Sequence, residues 1–212
     1  MRLWALTVNL LLLLGGSLWA GQFQLSTGIS QRFDYGLEAM VATESRWAAE
    51  GRSLRSLEVM PELIWHYSPH WDFGVGFQKM QNWTADGEEM SQEIFYGSTT
   101  FKLPLGKLYS LSNKTLLGKG TISMGHDLTI LRNSTRLTYK RWMRVTPYIQ
   151  KDFYWDLEPT FGVTEDRWSV GASLMLNRAT SFDIYGMLNK LNADDGGKET
   201  LSIIGVGINL MF

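Results

Sequence analysis

The sequence predicts an all-β fold: an antiparallel up-and-down transmembrane β-barrel of ten or twelve strands. Three observations carry this prediction: runs of alternating apolar and polar residues, turns that are short and long in alternation, and a last run that ends at Phe212. Successive side chains on a strand point to opposite faces, so strict alternation indicates a strand with one apolar face. In a membrane barrel that face contacts lipid, and the other face lines the lumen.

Eleven runs have the length and alternation of strands, and no helical periodicity competes with them. The pattern is clearest from Trp168 to Leu176, where apolar residues alternate with serines and a glycine. Glycines are frequent on the polar faces, which suits a crowded lumen. The runs are Gln22–Phe33, Leu37–Ala48, Leu54–Tyr67, Trp71–Trp83, Gln92–Leu103, Leu108–Lys119, Leu128–Arg141, Val145–Asp156, Arg167–Asn177, Phe182–Leu191 and Thr200–Phe212.

The turns between these runs favour a barrel over a soluble β-sandwich, an alternative that alternation alone leaves open. The short segments are 68–70, 104–106, 142–144 and 178–181, and the longer polar ones are 84–91, 120–127, 157–166 and 192–199. Bacterial barrels have short periplasmic turns and longer extracellular loops. The short turns are therefore predicted to face the periplasm.

The number of runs conflicts with the usual parity of these barrels. Single-chain bacterial barrels have an even number of strands. With a periplasmic C-terminus, the first of eleven runs would begin outside the cell. We therefore expect ten strands if Gln22–Phe33 does not span the membrane, or twelve if one strand is unrecognised, and the sequence does not decide between them.

The two ends of the chain predict export to the outer membrane of a Gram-negative bacterium. Arg2, the apolar stretch Leu3–Leu14 and the small residues up to Ala20 form a secretory signal peptide, with 21–212 as the barrel. The apolar stretch is too short for a spanning helix. The closing strand resembles those of outer-membrane barrels, in which a terminal aromatic such as Phe212 marks the chain for assembly. The expected partners are membrane lipid, lipopolysaccharide and the barrel-assembly machinery, and the expected state is a monomer.

Composition is consistent with this interpretation. The chain has 20 basic and 21 acidic residues, which argues against a nucleic-acid-binding protein. Its mean hydropathy is −0.12, a value that a barrel tolerates because only alternate residues contact lipid. Aromatic residues make up 13% of the chain and belong at the two bilayer interfaces. There are no cysteines, so a disulfide framework is excluded.

Charged residues on the predicted inward faces are the candidate functional groups. Fixed basic groups in a narrow polar lumen would attract anions, as charged rings do in selective pores. Alternatively, the charges pair across the lumen and plug it, because unpaired charge in a confined site is costly. The basic candidates are Lys114, Arg132, Arg136 and Lys140, and the acidic ones are Glu38, Glu44, Glu58, Glu62, Asp72, Asp152 and Asp156.

Catalysis, metal binding and cofactors are not expected. His126 lies beside Asp127 and three residues after Ser123 in a predicted loop, a placement compatible with an outer-membrane lipid hydrolase or deacylase. However, the spacing matches no nucleophile motif. His66 and His70 straddle a turn, and Asp194–Gly197 resembles only a fragment of a calcium loop. We therefore predict a non-enzymatic barrel with a structural or passive-transport role, with a narrow anion- or solute-selective porin as the alternative.

Several segments resemble a family of small Gram-negative outer-membrane β-barrels of unknown function. The segments are Glu44-Ser-Arg46, Val59-Met-Pro61 with Trp65-His-Tyr67, Leu131-Arg-Asn-Ser-Thr-Arg136, and Pro147-Tyr-Ile-Gln-Lys-Asp152-Phe. Leu116–Gly120 departs from that family, whose members usually carry more Arg and Glu there. More distantly, the chain is similar to small acidic-sugar porins. The first resemblance implies no activity, and the second implies a passive channel with Arg132, Arg136 and Lys140 at the inward basic positions.

Overall fold

The barrel is closed by eleven strands in the described part of the chain. The structure is a computed structural model that describes residues 21–48, 53–83, 88–123, 125–140, 144–157, 164–192 and 198–212. The predicted signal peptide lies outside these ranges. The strands are β1 Gln22–Arg32, β2 Leu37–Ala48, β3 Leu54–His66, β4 Trp71–Trp83, β5 Glu89–Leu105, β6 Tyr109–Ile122, β7 His126–Tyr139, β8 Val145–Asp156, β9 Thr164–Met175, β10 Thr180–Asn192 and β11 Lys198–Met211.

The expected count of ten or twelve strands is wrong, and the seam of the barrel explains why. Neighbouring strands pair antiparallel around the sheet, but β1 and β11 pair in parallel, from Gln22 opposite Ile203 to Ser30 opposite Met211. An even count is required only when every pairing is antiparallel, and the parallel seam removes that requirement. The first run is therefore a full barrel strand. The chain end is held at this seam, because the Phe212 amide donates to the Ser30 carbonyl at 2.9 Å.

Tight connections gather at one end of the barrel, which we call the short-turn end. They join β1 to β2, β3 to β4, β5 to β6 and β9 to β10, and the C-terminus lies at the same end. Between β1 and β2 a 3-10 turn places Tyr35 and Gly36 at φ 63° and 75°. At the opposite end, most of the loop predicted over 120–127 is instead strand, since β6 continues to Ile122 and β7 begins at His126.

The outer surface is apolar and carries aromatic residues near the short-turn end. Outward side chains such as Ile29, Val75 and Val170 are more than half exposed. Around the β3–β4 turn, Trp65, Tyr67, Phe73, Trp71 and Phe101 form a chain of ring contacts with centroids 4.9–6.4 Å apart. Apolar walls with aromatic girdles are the surface that a bilayer requires of a barrel. Among the described residues, no helix is long and apolar enough to cross a membrane.

A polar cluster interrupts this apolar surface on β6 and β7. The amides of Asn113 and Asn133 bond to each other at 3.0 and 3.1 Å. They also donate to the hydroxyls of Thr135 and Thr115 at 2.7 and 2.9 Å. The register places Leu111 and Leu137 on one side of this Asn–Thr cluster, with Leu117 and Leu131 on the other. Because the four side chains bond to one another, the polar atoms tolerate a position between apolar rows.

Candidate functional site: the charged lumen

The inner wall is built from the second face of each strand, and glycines make room in it for large rings. Tyr96 lies opposite Gly76 and Tyr185 lies opposite Gly205 on the adjacent strands. A Cβ on Gly76 would lie 2.5 Å from the Tyr96 ring, inside any normal contact distance. Tyr148 and Gly171 repeat this arrangement. The glycines on the polar faces therefore leave space for the rings of three buried tyrosines, and these rings narrow the lumen.

A row of alternating charges crosses five strands at the short-turn end. His66 on β3 contacts Asp72 Oδ1 through Nδ1 at 2.9 Å and Glu38 Oε2 through Nε2 at 3.0 Å. Arg32 Nε donates to the same Glu38 oxygen at 2.9 Å, and Lys102 pairs with Asp72. The two carboxylates are thus each held between two basic side chains.

Farther into the barrel, an ion pair bridges strands that are not neighbours. Glu62 on β3 is almost fully buried and accepts hydrogen bonds from Lys114 Nζ on β6 at 2.6 and 2.8 Å. Ser98 on β5 donates to the same carboxylate at 2.6 Å. Since β4 and β5 lie between β3 and β6, the lysine reaches over the inner wall to meet its partner.

A third group of charges lies on β2, β7, β8 and β9. Arg46 pairs with Glu44 at 2.8 Å on β2, and Arg167 pairs with Glu165 on β9. Tyr154 on β8 lies between two guanidinium groups, because Arg132 and Arg167 stack on its ring at 4.6 and 4.2 Å. Arg167 Nη1 also donates to the Tyr154 hydroxyl at 2.7 Å. Each of these five charged side chains is thus met by an opposite charge or an aromatic face.

Beside this group lies a cavity of about 290 Å³. Polar and charged side chains from seven strands line it, and a second cavity of about 220 Å³ shares Arg136 and Tyr148 with it. Its lining includes Arg132, Arg136, Tyr148, Gln150, Asp152 and Asp183. The lumen beside β5–β7 is instead filled by buried Ile94, Ile122 and Leu128. Among the described residues, this apolar cluster and the two cavities therefore lie beside different strands.

Two charges that face the cavity have only neutral partners in the described part of the chain. Arg136 on β7 donates from Nε to Gln150 Oε1 at 2.6 Å and stacks on the Tyr148 ring at 4.1 Å. Asp183 on β10 accepts a hydrogen bond from Asn209 Nδ2 at 2.7 Å and another from Ser173. By contrast, Arg132 lies 3.7 Å from Asp152.

The structure places the candidate charges as follows. Lys140 lies beyond the end of β7, is exposed, and donates its backbone amide to the Leu108 carbonyl at 2.7 Å. It therefore does not continue the row formed by Arg132 and Arg136. Asp156 is the last residue of β8. The candidates at the inward positions of their strands are Glu38, Glu44, Glu58, Glu62, Asp72, Lys114, Arg132, Arg136, Asp152 and Asp156.

Several charged residues that the structure places at the lumen were not singled out from the sequence: Arg32, Arg46, Lys102, Glu165, Arg167 and Asp183. Their positions follow from strand phase alone. On β9, for example, Arg167 shares its face with Ser169 and Gly171. Alternation in the sequence assigns each of these residues to one face of its strand. It identifies them as lumen residues only when the inward face of that strand is known.

The catalytic and metal alternatives gain no support from their positions. His126 is the first residue of β7 and lies opposite Ile122, and the Ser123 hydroxyl accepts a hydrogen bond from the Ser91 amide at 3.3 Å. The loop containing Asp194–Gly197 lies outside the described residues. Within the described ranges, no group of three or more His, Asp or Glu side chains is arranged to hold a metal ion.

Comparison with known proteins shows a shared β-barrel fold but no family. No family model matches the chain, and no curated protein matches it. The structure is similar to that of the NanC porin, with a TM-score of 0.51 and 10% identity over 90% of this chain and 98% of that one. An anion-selective porin from Comamonas acidovorans gives a TM-score of 0.42 and 11% identity over 84% of this chain and 55% of that one. The likeness to the NanC porin shows a shared β-barrel fold. The resemblance to a small family of unknown function stays a prediction.

Proposed function

We propose that this protein is a narrow outer-membrane barrel through which small polar solutes move passively. One observation carries the proposal: the 290 Å³ cavity is lined by charged and polar side chains from seven strands. A lumen built only for stability would favour apolar or fully paired groups, because unpaired polar groups in a confined space cost free energy. The volume lies near the lower end of the range for small-molecule sites.

The charge pairs explain why the passage would be narrow. The Lys114–Glu62 pair and the stack of Arg132, Tyr154 and Arg167 occupy the lumen from its walls inward. Paired charges also neutralise each other, so they contribute little to attraction or repulsion of a passing ion. Selectivity then depends on the charges without an ionic partner, of which Arg136 borders both cavities.

A structural barrel without conductance is the second candidate. The observation that favours it is the pairing of Lys114 with Glu62 across intervening strands, which closes part of the lumen. In that case the barrel would serve the membrane through its outer surface or its loops.

Planar-bilayer recording distinguishes the two functions. We expect the folded protein to give a small ohmic conductance, and Arg136→Gln to reduce the anion-to-cation permeability ratio several-fold. Lys119→Gln is the matched control, because it removes the same charge from an exposed outward position on β6. A correctly folded barrel that passes no current, with folding verified by circular dichroism, would exclude solute passage and leave the structural role.

A further inference from the structure

We propose that the 290 Å³ cavity binds zwitterionic solutes, small molecules that carry both a carboxylate and an ammonium group. The carboxylate of the solute would lie on Arg136 and its ammonium group on Asp183. This inference rests on the proposed function in one respect, since it names the class of solute for the same cavity.

Arg136 provides the site for the carboxylate. Its Nε is engaged by the Gln150 side chain at 2.6 Å, and its guanidinium plane is supported by the Tyr148 ring at 4.1 Å. These contacts fix the orientation of the group without neutralising its charge. Gln150 also donates to Asp152 Oδ2 at 2.8 Å, so the amide stands between the guanidinium and that carboxylate. A guanidinium held in this way presents a planar fork that matches a carboxylate.

Asp183 provides the site for the ammonium group. One oxygen accepts a hydrogen bond from Asn209 at 2.7 Å, and the other accepts one from Ser173. Both donors are neutral. Within the described ranges no basic group lies within ion-pair distance of this carboxylate. An ionised carboxylate has about four acceptor positions, so two neutral donors leave room for an ammonium group.

The other charges that line the cavity are matched within the protein. Glu44 pairs with Arg46, Arg132 lies against Asp152, and Arg167 pairs with Glu165. In the described part of the chain, the unmatched groups facing this cavity are therefore one cation and one anion, on β7 and β10. A simple anion would satisfy Arg136 but meet repulsion from Asp183, and a simple cation would meet the reverse. A solute with both charges satisfies both groups at once, so it is favoured over either.

The test compares three probes of similar size in ligand-observed NMR titrations of the detergent-solubilised barrel. The probes are 4-aminobutyrate, which carries both charges, butyrate, which lacks the ammonium group, and butylammonium, which lacks the carboxylate. We expect 4-aminobutyrate to bind at least tenfold more tightly than either single-charge probe. Arg136→Gln and Asp183→Asn should each remove that advantage, whereas Lys119→Gln should retain it. Glycine and 6-aminohexanoate extend the series and report the separation of the two charges.

A second measurement avoids variants that fail to fold. In bilayer recordings of the wild-type protein, 4-aminobutyrate should reduce the ionic current at concentrations where butyrate does not. Equal binding of butyrate and 4-aminobutyrate would overturn the zwitterion site while leaving solute passage intact. Conversely, tight binding of 4-aminobutyrate by a barrel that carries no current would retain the site and refute passage.

Discussion

Replacing Gly205 by alanine should destabilise the barrel, because the inner wall has no room for one more methyl group at that position. A Cβ on Gly205 would overlap the Cε2, Cζ and Oη atoms of Tyr185, well inside the ~3.5 Å at which carbon atoms normally touch. Tyr185 is only 9% exposed and packs with Tyr148, Met187 and Ile203, so its ring cannot swing into solvent.

The size of the effect follows from the cost of overpacking. Forcing an additional methyl group into a well-packed interior costs about 1–3 kcal/mol. Gly97→Ala is the matched control, since Gly97 lies on the outer face of β5 and its Cβ would come no closer than 4.0 Å to another atom. There, replacing glycine removes its entropic penalty and stabilises the strand by about 0.5–1 kcal/mol. The same entropic gain applies at Gly205, so the two variants should differ by the overpacking cost, roughly 1–3 kcal/mol.

Urea unfolding of barrels folded into short-chain lipid vesicles measures this difference, with tryptophan fluorescence as the signal. A double variant supplies the internal check. Tyr185→Leu removes the ring, so the cost of Gly205→Ala should largely disappear in its presence, and the deviation from additivity reports the overlap. If Gly205→Ala and Gly97→Ala unfold at the same urea concentration, the inner wall has room for a methyl group beside Tyr185, and Gly205 is not needed to accommodate that ring.

Two further predictions concern polar contacts and use the same unfolding assay. Lys114→Met leaves the buried Glu62 carboxylate without its cation and should lower the free energy of unfolding by about 3 kcal/mol. Adding Glu62→Gln to the same chain should restore much of this loss. A loss under about 1 kcal/mol would contradict a buried pair. Asn133→Leu deprives Asn113 of its partner in the Asn–Thr cluster and should lower the free energy of unfolding by about 1 kcal/mol. The double variant Asn113→Leu/Asn133→Leu should lose less stability than the sum of the two single changes. Additive losses would show that the two amides do not cooperate.

Local patterns were enough to predict the strands and the barrel. Each of the eleven runs corresponds to a strand, and the largest differences in their ends are at β5 and β9. Alternation is a property of one strand at a time, so it can be read without knowledge of its neighbours. The apolar stripe of the last run, with Gly205 and Gly207 opposite it, is an example.

The strand count could not be predicted, because closure is a relation between the two ends of the chain. Nothing in β1 or β11 alone specifies that they pair in parallel. The position of Lys140 could not be predicted for a similar reason. The predicted seventh run extends to Arg141, whereas β7 ends at Tyr139. Ends of strands depend on the pairing of the neighbouring strand, which a one-dimensional pattern does not contain.

The charge pairs show why strand phase alone does not identify a functional residue. Arg132 and Arg136 lie on the same face of β7, four residues apart, so the alternation of the sequence does not distinguish them. In the barrel, Arg132 meets Asp152 and Tyr154, while Gln150 separates Arg136 from the same aspartate. The charge that a solute encounters is what remains after such pairing, and it is set by contacts across strands. For this reason a solute in the cavity would interact chiefly with Arg136 and Asp183, whatever the number of charges that line the lumen.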